Sequence, residues 1–209
     1  MPARRIETLD DVEEGATWLA GRDARLAAAL SEVGPLPLRL RDDGYTQLLS
    51  MIVSQQVSVA SAASIWDRLK NAGYTTEKAV LSCTDETLRG LGLSRQKALY
   101  ARALAEAQID YAALRTAPDA EIVATLTQVK GIGVWTSEIY GMFSLGRPDM
   151  FAAGDLALQE AARLIFDLPD RPKEKALREM AEDWRPWRAV AARLFFTYYR
   201  KSKGREGVT

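Results

Sequence analysis

Two groups of residues in this chain have types and spacing that could do chemistry. One is Gly131-Ile132-Gly133, set between Leu126–Lys130 and Val134-Trp135-Thr136. The other is Asp155, which follows Gly131 by 24 residues and stands in Phe151-Ala152-Ala153-Gly154-Asp155-Leu156. Two closely spaced glycines let the backbone turn through positive φ and approach another backbone. Ahead of a helix, such a turn presents N–H groups to an anion, and a phosphodiester fits that description. A plain helix–turn–helix packing joint accounts for the same residues. A degenerate dinucleotide fingerprint is a further reading, but Thr136 stands where its third glycine belongs and no βαβ surroundings exist. Asp155 also reads in two ways. A carboxylate after a glycine at a helix start is an N-cap. Facing a substrate, it stabilises a sugar oxocarbenium ion or orients a water. The roles are compatible, because a helix N-terminus favours negative charge.

The same sequence excludes a great deal. It contains no histidine in 209 residues, so no mechanism rests on a His base, a Ser–His or Cys–His pair, or a His-bound metal. Its single cysteine, Cys83, rules out an internal disulfide, a Cys-based zinc site and a four-Cys iron–sulfur cluster. Lys+Arg and Asp+Glu are both 28. The zero net charge argues against sequence-independent coating of nucleic acid and leaves room for a local basic face. No run approaches the roughly 18 apolar residues of a membrane span. The start, Met-Pro-Ala-Arg-Arg-Ile-Glu, is not an apolar signal core. We expect an intracellular, cytoplasmic protein with no membrane partner.

The elements that must carry these groups read as helices nearly throughout. Trp18, Leu19, Leu26, Ala29 and Leu30 fall at helical offsets after Thr8-Leu9-Asp10-Asp11, and Gly34-Pro35 ends that helix. A second helix opens at Asp42-Asp43-Gly44 and runs through Leu48, Leu49, Ile52 and Val53. The polar cluster Ser54-Gln55-Gln56-Val57-Ser58 interrupts it, and a third helix spans about Val59 to Lys70. Short helical pieces follow near 76–82 and 84–89. Ser94 is the expected N-cap of an alanine-rich helix to about Gln108. Helices are expected from Pro118 to Val129, Thr136 to Leu145, Asp155 to Phe166, Pro172 to about Glu182 and Pro186 to about Lys201, with the tail 204–209 frayed. No alternating strand and no hairpin dipeptide is present. The fold class is all-α: a two-lobed bundle of about ten short helices with a helix–hairpin–helix motif. One lobe is expected to combine 1–43 with 149–209 and to carry Asp155. The other is expected to span 44–148.

Leu126–Thr136 together with Asp155 resembles the helix–hairpin–helix DNA glycosylase superfamily, and within it the alkylation-repair branch of DNA-3-methyladenine glycosylase II type. Three more stretches agree, and the likeness covers about residues 40–201. Ile52-Val53-Ser54-Gln55-Gln56-Val57-Ser58-Val59-Ala60 resembles the segment that enters DNA near the lesion. Leu91-Gly92-Leu93-Ser94-Arg95-Gln96-Lys97-Ala98 is similar to a recurring superfamily element. Trp184-Arg185-Pro186-Trp187-Arg188 with Leu194–Tyr198 resembles the branch's C-terminal helix. The well-known members carry an α/β domain ahead of the helices, for which this chain is too short.

The resemblance implies double-stranded DNA containing alkylated bases as the partner, and excision of 3-methyladenine and 7-methylguanine by a monomer. Asp155 is the implied catalytic carboxylate. Lys130, Gly131, Gly133, Val134 and Thr136 would bind the DNA backbone. Gln55, Gln56 and Ser58 would form the wedge loop, with Gln56 at the wedging position. Trp135, Phe195 and Ile139 are implied pocket residues, and a positively charged alkylated purine suits an electron-rich ring. Members with lyase activity place a lysine where this chain has Trp135; Lys130 lies before the turn and does not match. The implied enzyme is therefore monofunctional. No cofactor is required, although backbone carbonyls of Thr127, Val129 and Ile132 could hold a structural Na⁺ or K⁺. The competing reading is a non-catalytic helix–hairpin–helix DNA-binding module in which Asp155 only caps.

Overall fold

The structure, a computed structural model, describes residues 4–204. The tail beyond Gly204, Arg205 included, lies outside the described residues. Thirteen α-helices and one 3-10 helix are present among the described residues, with no strand. A sheet-based dinucleotide fold is thereby excluded for this part of the chain. The helices separate into two compact units, residues 4–40 with 141–204, and residues 41–140. The sequence reading placed these boundaries at 43–44 and 148–149. The second boundary instead falls inside the helix Val134–Phe143, between Tyr140 and Gly141.

The first unit contains α1 (Leu9–Arg22), α2 (Ala24–Val33), α11 (Leu156–Ile165), α12 (Glu174–Met180), the 3-10 turn Ala181–Trp184 and α13 (Arg188–Ser202). Thr8 caps α1 in a reciprocal box with Asp11. The single long helix expected up to Gly34 is broken at Asp23. This residue ends α1 through its own N–H and caps α2 with its side chain, which accepts from Arg25 N. Helix α11 packs on α13, and α13 also meets α1 and α2. The core is aromatic: Phe151, Phe166, Trp184 and Phe195 meet ring to ring, with Trp184 and Phe195 centroids 4.9 Å apart. Gly15 lets α1 approach α13 closely, because a Cβ there would lie 2.6 Å from Val190 and 2.8 Å from the Trp187 ring. Arg193 is fully buried in this core. Its Nε donates to Leu38 O at 3.0 Å and its guanidinium lies over Phe143.

The second unit contains α3 (Tyr45–Ser54), α4 (Val59–Asn71), α5 (Glu77–Ser82), α6 (Asp85–Gly90), α7 (Arg95–Glu106), α8 (Tyr111–Leu114) and α9 (Asp119–Thr127). The start of α10 (Val134–Phe143) completes it. Helix α7 is central and packs on α3, α5 and α6. The small buried face Ala98, Ala101 and Ala105 permits that density of neighbours. Its expected cap is present, with Ser94 Oγ accepting from Lys97 N at 3.2 Å.

Candidate functional site

The hairpin lies between α9 and α10, as the glycine spacing predicts. Gly131 has φ +98°, and a Cβ there would collide with the ring of Tyr100. Glycine is thus demanded at 131 by folding alone. Gly133 is different: it is exposed, and a Cβ there would meet nothing within 4 Å. The first intrahelical bond of α10 is donated by Ser137 N to Gly133 O at 3.0 Å, and Ser137 Oγ donates to the same oxygen. The amides of Gly133 and Val134 precede that bond and are donors that the helix itself does not consume. Val134 is exposed, as is Lys130. Thr136 is not: its side chain is buried, so only its backbone could meet a partner.

Residues 55–58 connect α3 to α4, and the three residues expected to act in this loop occupy different situations. Gln55 is half-buried and its Nε2 donates to Gly131 O at 3.0 Å, which ties the loop to the hairpin. Gln56 is exposed at the tip with φ +54°. Ser58 caps α4 by accepting from Ser61 N. Ser58 is therefore an anchor of the loop, with its oxygen already engaged. Gln56 and the exposed Val57 form the tip.

Asp155 is the N-cap of α11. Its Oδ1 accepts from Ala157 N at 2.8 Å and Leu158 N at 3.3 Å, and the residue is partly exposed. The cap fixes the carboxylate's orientation. Next to it, Leu156 is exposed while Leu158 is buried. Glu138, the other carboxylate near the motif, is buried in α10.

The implied pocket residues do not behave alike. Trp135 is 43% exposed, unusual for a large aromatic side chain. Ile139 is half-buried. Phe195 is fully enclosed, with its ring against Phe151, Phe166 and Trp184. It is a core residue with no face left for a base, contrary to the sequence expectation. Near that cluster an open pocket of about 540 Å³ is lined by Arg22, Asp23, Arg25, Phe166 and Trp184. It lies at the C-terminal end of α11, about 15 Å along the helix from Asp155, and does not include the carboxylate.

The basic residues near the motifs are also mostly committed. Lys97 is buried and its Nζ donates to Val53 O at 2.7 Å; burial pushes its pKa down. Arg163 pairs with Glu160, and Arg147 is buried. At the turn, Val129 O accepts from Ile132 N at 3.0 Å. Neutral carbonyls at Thr127, Val129 and Ile132 are a donor set suited to a monovalent cation or a water and poor for a divalent ion. No cluster of His, Cys, Asp or Glu suited to a metal occurs among the described residues, and none of their helices is long and apolar enough to cross a membrane.

Comparison with known proteins identifies the family of the chain. The sequence pattern of the HhH-GPD superfamily base excision DNA repair proteins matches residues 49–186. YfjP of Bacillus subtilis, named provisionally as a DNA-3-methyladenine glycosylase, is 29% identical over 180 residues; the match covers 80% of this chain and 63% of that protein's length. The Schizosaccharomyces pombe 3-methyladenine DNA glycosylase Mag1, solved in complex with abasic DNA, superposes with TM-score 0.76 at 28% identity, covering 91% of this chain and 97% of that one. A DNA-3-methyladenine glycosidase from Bacillus halodurans superposes with TM-score 0.82 at 27% identity, covering 98% and 95%.

Proposed function

Because the chain belongs to the HhH-GPD superfamily of base excision DNA repair proteins, we propose that it is a monofunctional DNA glycosylase. In this reading it acts as a monomer on double-stranded DNA and hydrolyses the N-glycosidic bond of alkylated bases, chiefly 3-methyladenine and 7-methylguanine. The observation that carries the reading is Asp155: a carboxylate fixed by two backbone amides at the start of α11, inside the matched region and 24 residues beyond the hairpin glycine.

The steps follow from the residues. The amides of Gly133 and Val134 donate to a backbone phosphate at the N-terminus of α10, with Lys130 adding charge. Gln56 and Val57 fill the space left when the damaged nucleotide swings out. The flipped base stacks on Trp135, with Ile139 beside it. An alkylated purine is already a good leaving group, so no general acid is required and the absence of histidine is no obstacle. Asp155 stabilises the positive charge that grows on the sugar, or orients the attacking water. Carbonyls of Thr127, Val129 and Ile132 would hold Na⁺ or K⁺ at the turn, where the ion would add positive potential toward a phosphate.

Excision of 7-methylguanine from a methylated duplex tests the reading directly. Release of free base is the expected result. DNA binding without release would favour the non-catalytic module, for which the capping bonds of Asp155 are a sufficient role. Borohydride reduction during turnover should trap no covalent adduct, since Trp135 supplies no amine to attack the sugar. An efficient adduct would make the enzyme bifunctional and point to Lys130.

A further inference from the structure

Three contacts in the second unit link α7, the 55–58 loop and the hairpin, and take no part in the chemistry above. Lys97 and Tyr100 are three residues apart in α7 and therefore share a face. Lys97 reaches the last turn of α3, where its Nζ donates to Val53 O at 2.7 Å. That carbonyl is among those a helix end leaves unpaired. Tyr100 lies against Gly131, so closely that no side chain fits at that position. Gln55, next but one after Val53, closes the circuit by donating to Gly131 O.

These ties enclose the loop tip. Gln56 holds φ +54°, a conformation a glutamine rarely adopts. Such a residue persists where its surroundings over-determine it. Here the chain is fastened on one side at Val53 and Gln55 and on the other by the Ser58 cap. A buried ammonium is costly to maintain, and here it serves a single carbonyl, that of Val53, two residues before Gln55 and itself buried at 1% exposure. The expense is explained if the position of the loop relative to the hairpin matters.

On the strength of the glycosylase reading, we propose that Lys97 and Gln55 are positioning residues: they hold the tip Gln56–Val57 at a fixed offset from the Gly131–Gly133 turn. Gripping the phosphate and filling the vacated stack then occur as one rigid movement, and extrusion of a paired base depends on both bonds.

Pairing context separates this role from a contribution to folding. A base held in a pair must be pushed out, whereas one with no partner opposite is already partly released. Single-turnover excision of 7-methylguanine would be measured opposite cytosine and opposite a tetrahydrofuran abasic analogue. Gln55→Ala and Lys97→Met should slow the paired substrate by about tenfold or more, the scale of losing alignment by an ångström or less. The unpaired substrate should change much less. Lys97→Arg, which keeps a charged donor, should recover part of the paired rate. Equal slowing in both contexts, or none in either, would overturn the positioning role. Should Lys97→Met fail to fold, Gln55→Ala decides alone, since its amide is only half-buried. A wild-type protein inactive in both contexts would overturn the glycosylase reading itself and the positioning role with it. An active wild type with context-blind variants would overturn the positioning role only.

Discussion

The two units hold their candidate functional groups by different means. In the first, Asp155 is oriented by amides two and three residues further along its own chain, above a core of stacked and edge-on aromatic rings. In the second, the loop 55–58 and the hairpin are held by bonds that cross 44 and 76 residues of sequence. A single charge needs one fixed direction, and a helix start supplies it locally. Two backbone segments that must act at a set spacing need a third element as a template, and α7 serves.

That contrast can be broken at several points. The largest effect is expected at Asp155. Asp155→Asn keeps the cap, since Asn and Asp cap equally well, and removes the charge. Single-turnover excision should fall by about 10²–10³ or more, the scale of one preorganised electrostatic group, while the melting temperature hardly moves. A wild-type rate in a folded variant would reduce Asp155 to a cap and direct attention to Glu138.

The hairpin glycines should separate next. Gly131→Ala meets both a positive φ and the Tyr100 ring, and should destabilise by about 2 kcal/mol or more in a denaturant melt. Gly133→Ala should melt like wild type, and a bulkier Gly133→Leu should weaken binding to abasic-analogue duplex without unfolding. That binding should also weaken steeply with salt. Equal melts for the two alanine variants would contradict the assignment of folding to one glycine and binding to the other.

In the first unit, Gly15→Ala forces a Cβ into Val190 and Trp187 and should cost about 1–3 kcal/mol. Excision at a temperature where the variant is folded should be unaffected. The smallest effect concerns acid. Hydrogen bonds from Glu7 N and Thr8 hold Asp11 below the usual carboxylate range, and Arg25 does the same for Asp23. A lowered carboxylate pKa contributes stability that is present above about 3.8 and is lost as pH falls through the folded value. Asp23→Asn should therefore narrow the difference between melting temperatures at pH 6 and pH 3 by a few degrees at most.

What could be read from the sequence was local. Ser94 and Asp155 cap as expected, because a cap is a relation between residues two or three apart. The helical class and the Gly-x-Gly turn were legible for the same reason. The break at Asp23 was hidden because apolar periodicity resumes at once on the far side. Helix α8 is a single turn and too short to show a period. Lys97, Gly15 and Phe195 were misread or missed because each is defined by partners distant in sequence: a carbonyl on α3, two side chains on α13, and rings of α11 and its flanks. Lysine in an amphipathic helix normally signals solvent. Only an unpaired carbonyl within reach makes it a core residue, and no periodicity records that.

The exposure of Trp135 gives the protein an optical handle. Of its five tryptophans, Trp184 and Trp187 are sealed in the first unit, Trp18 and Trp66 are half-covered, and Trp135 is the most exposed. Emission at the red edge of the spectrum, and the portion most readily quenched by acrylamide or iodide, should come mainly from that ring. A titration with unlabelled duplex would then report occupancy of the hairpin end of α10 through intrinsic fluorescence, with Trp135→Phe as the dark control.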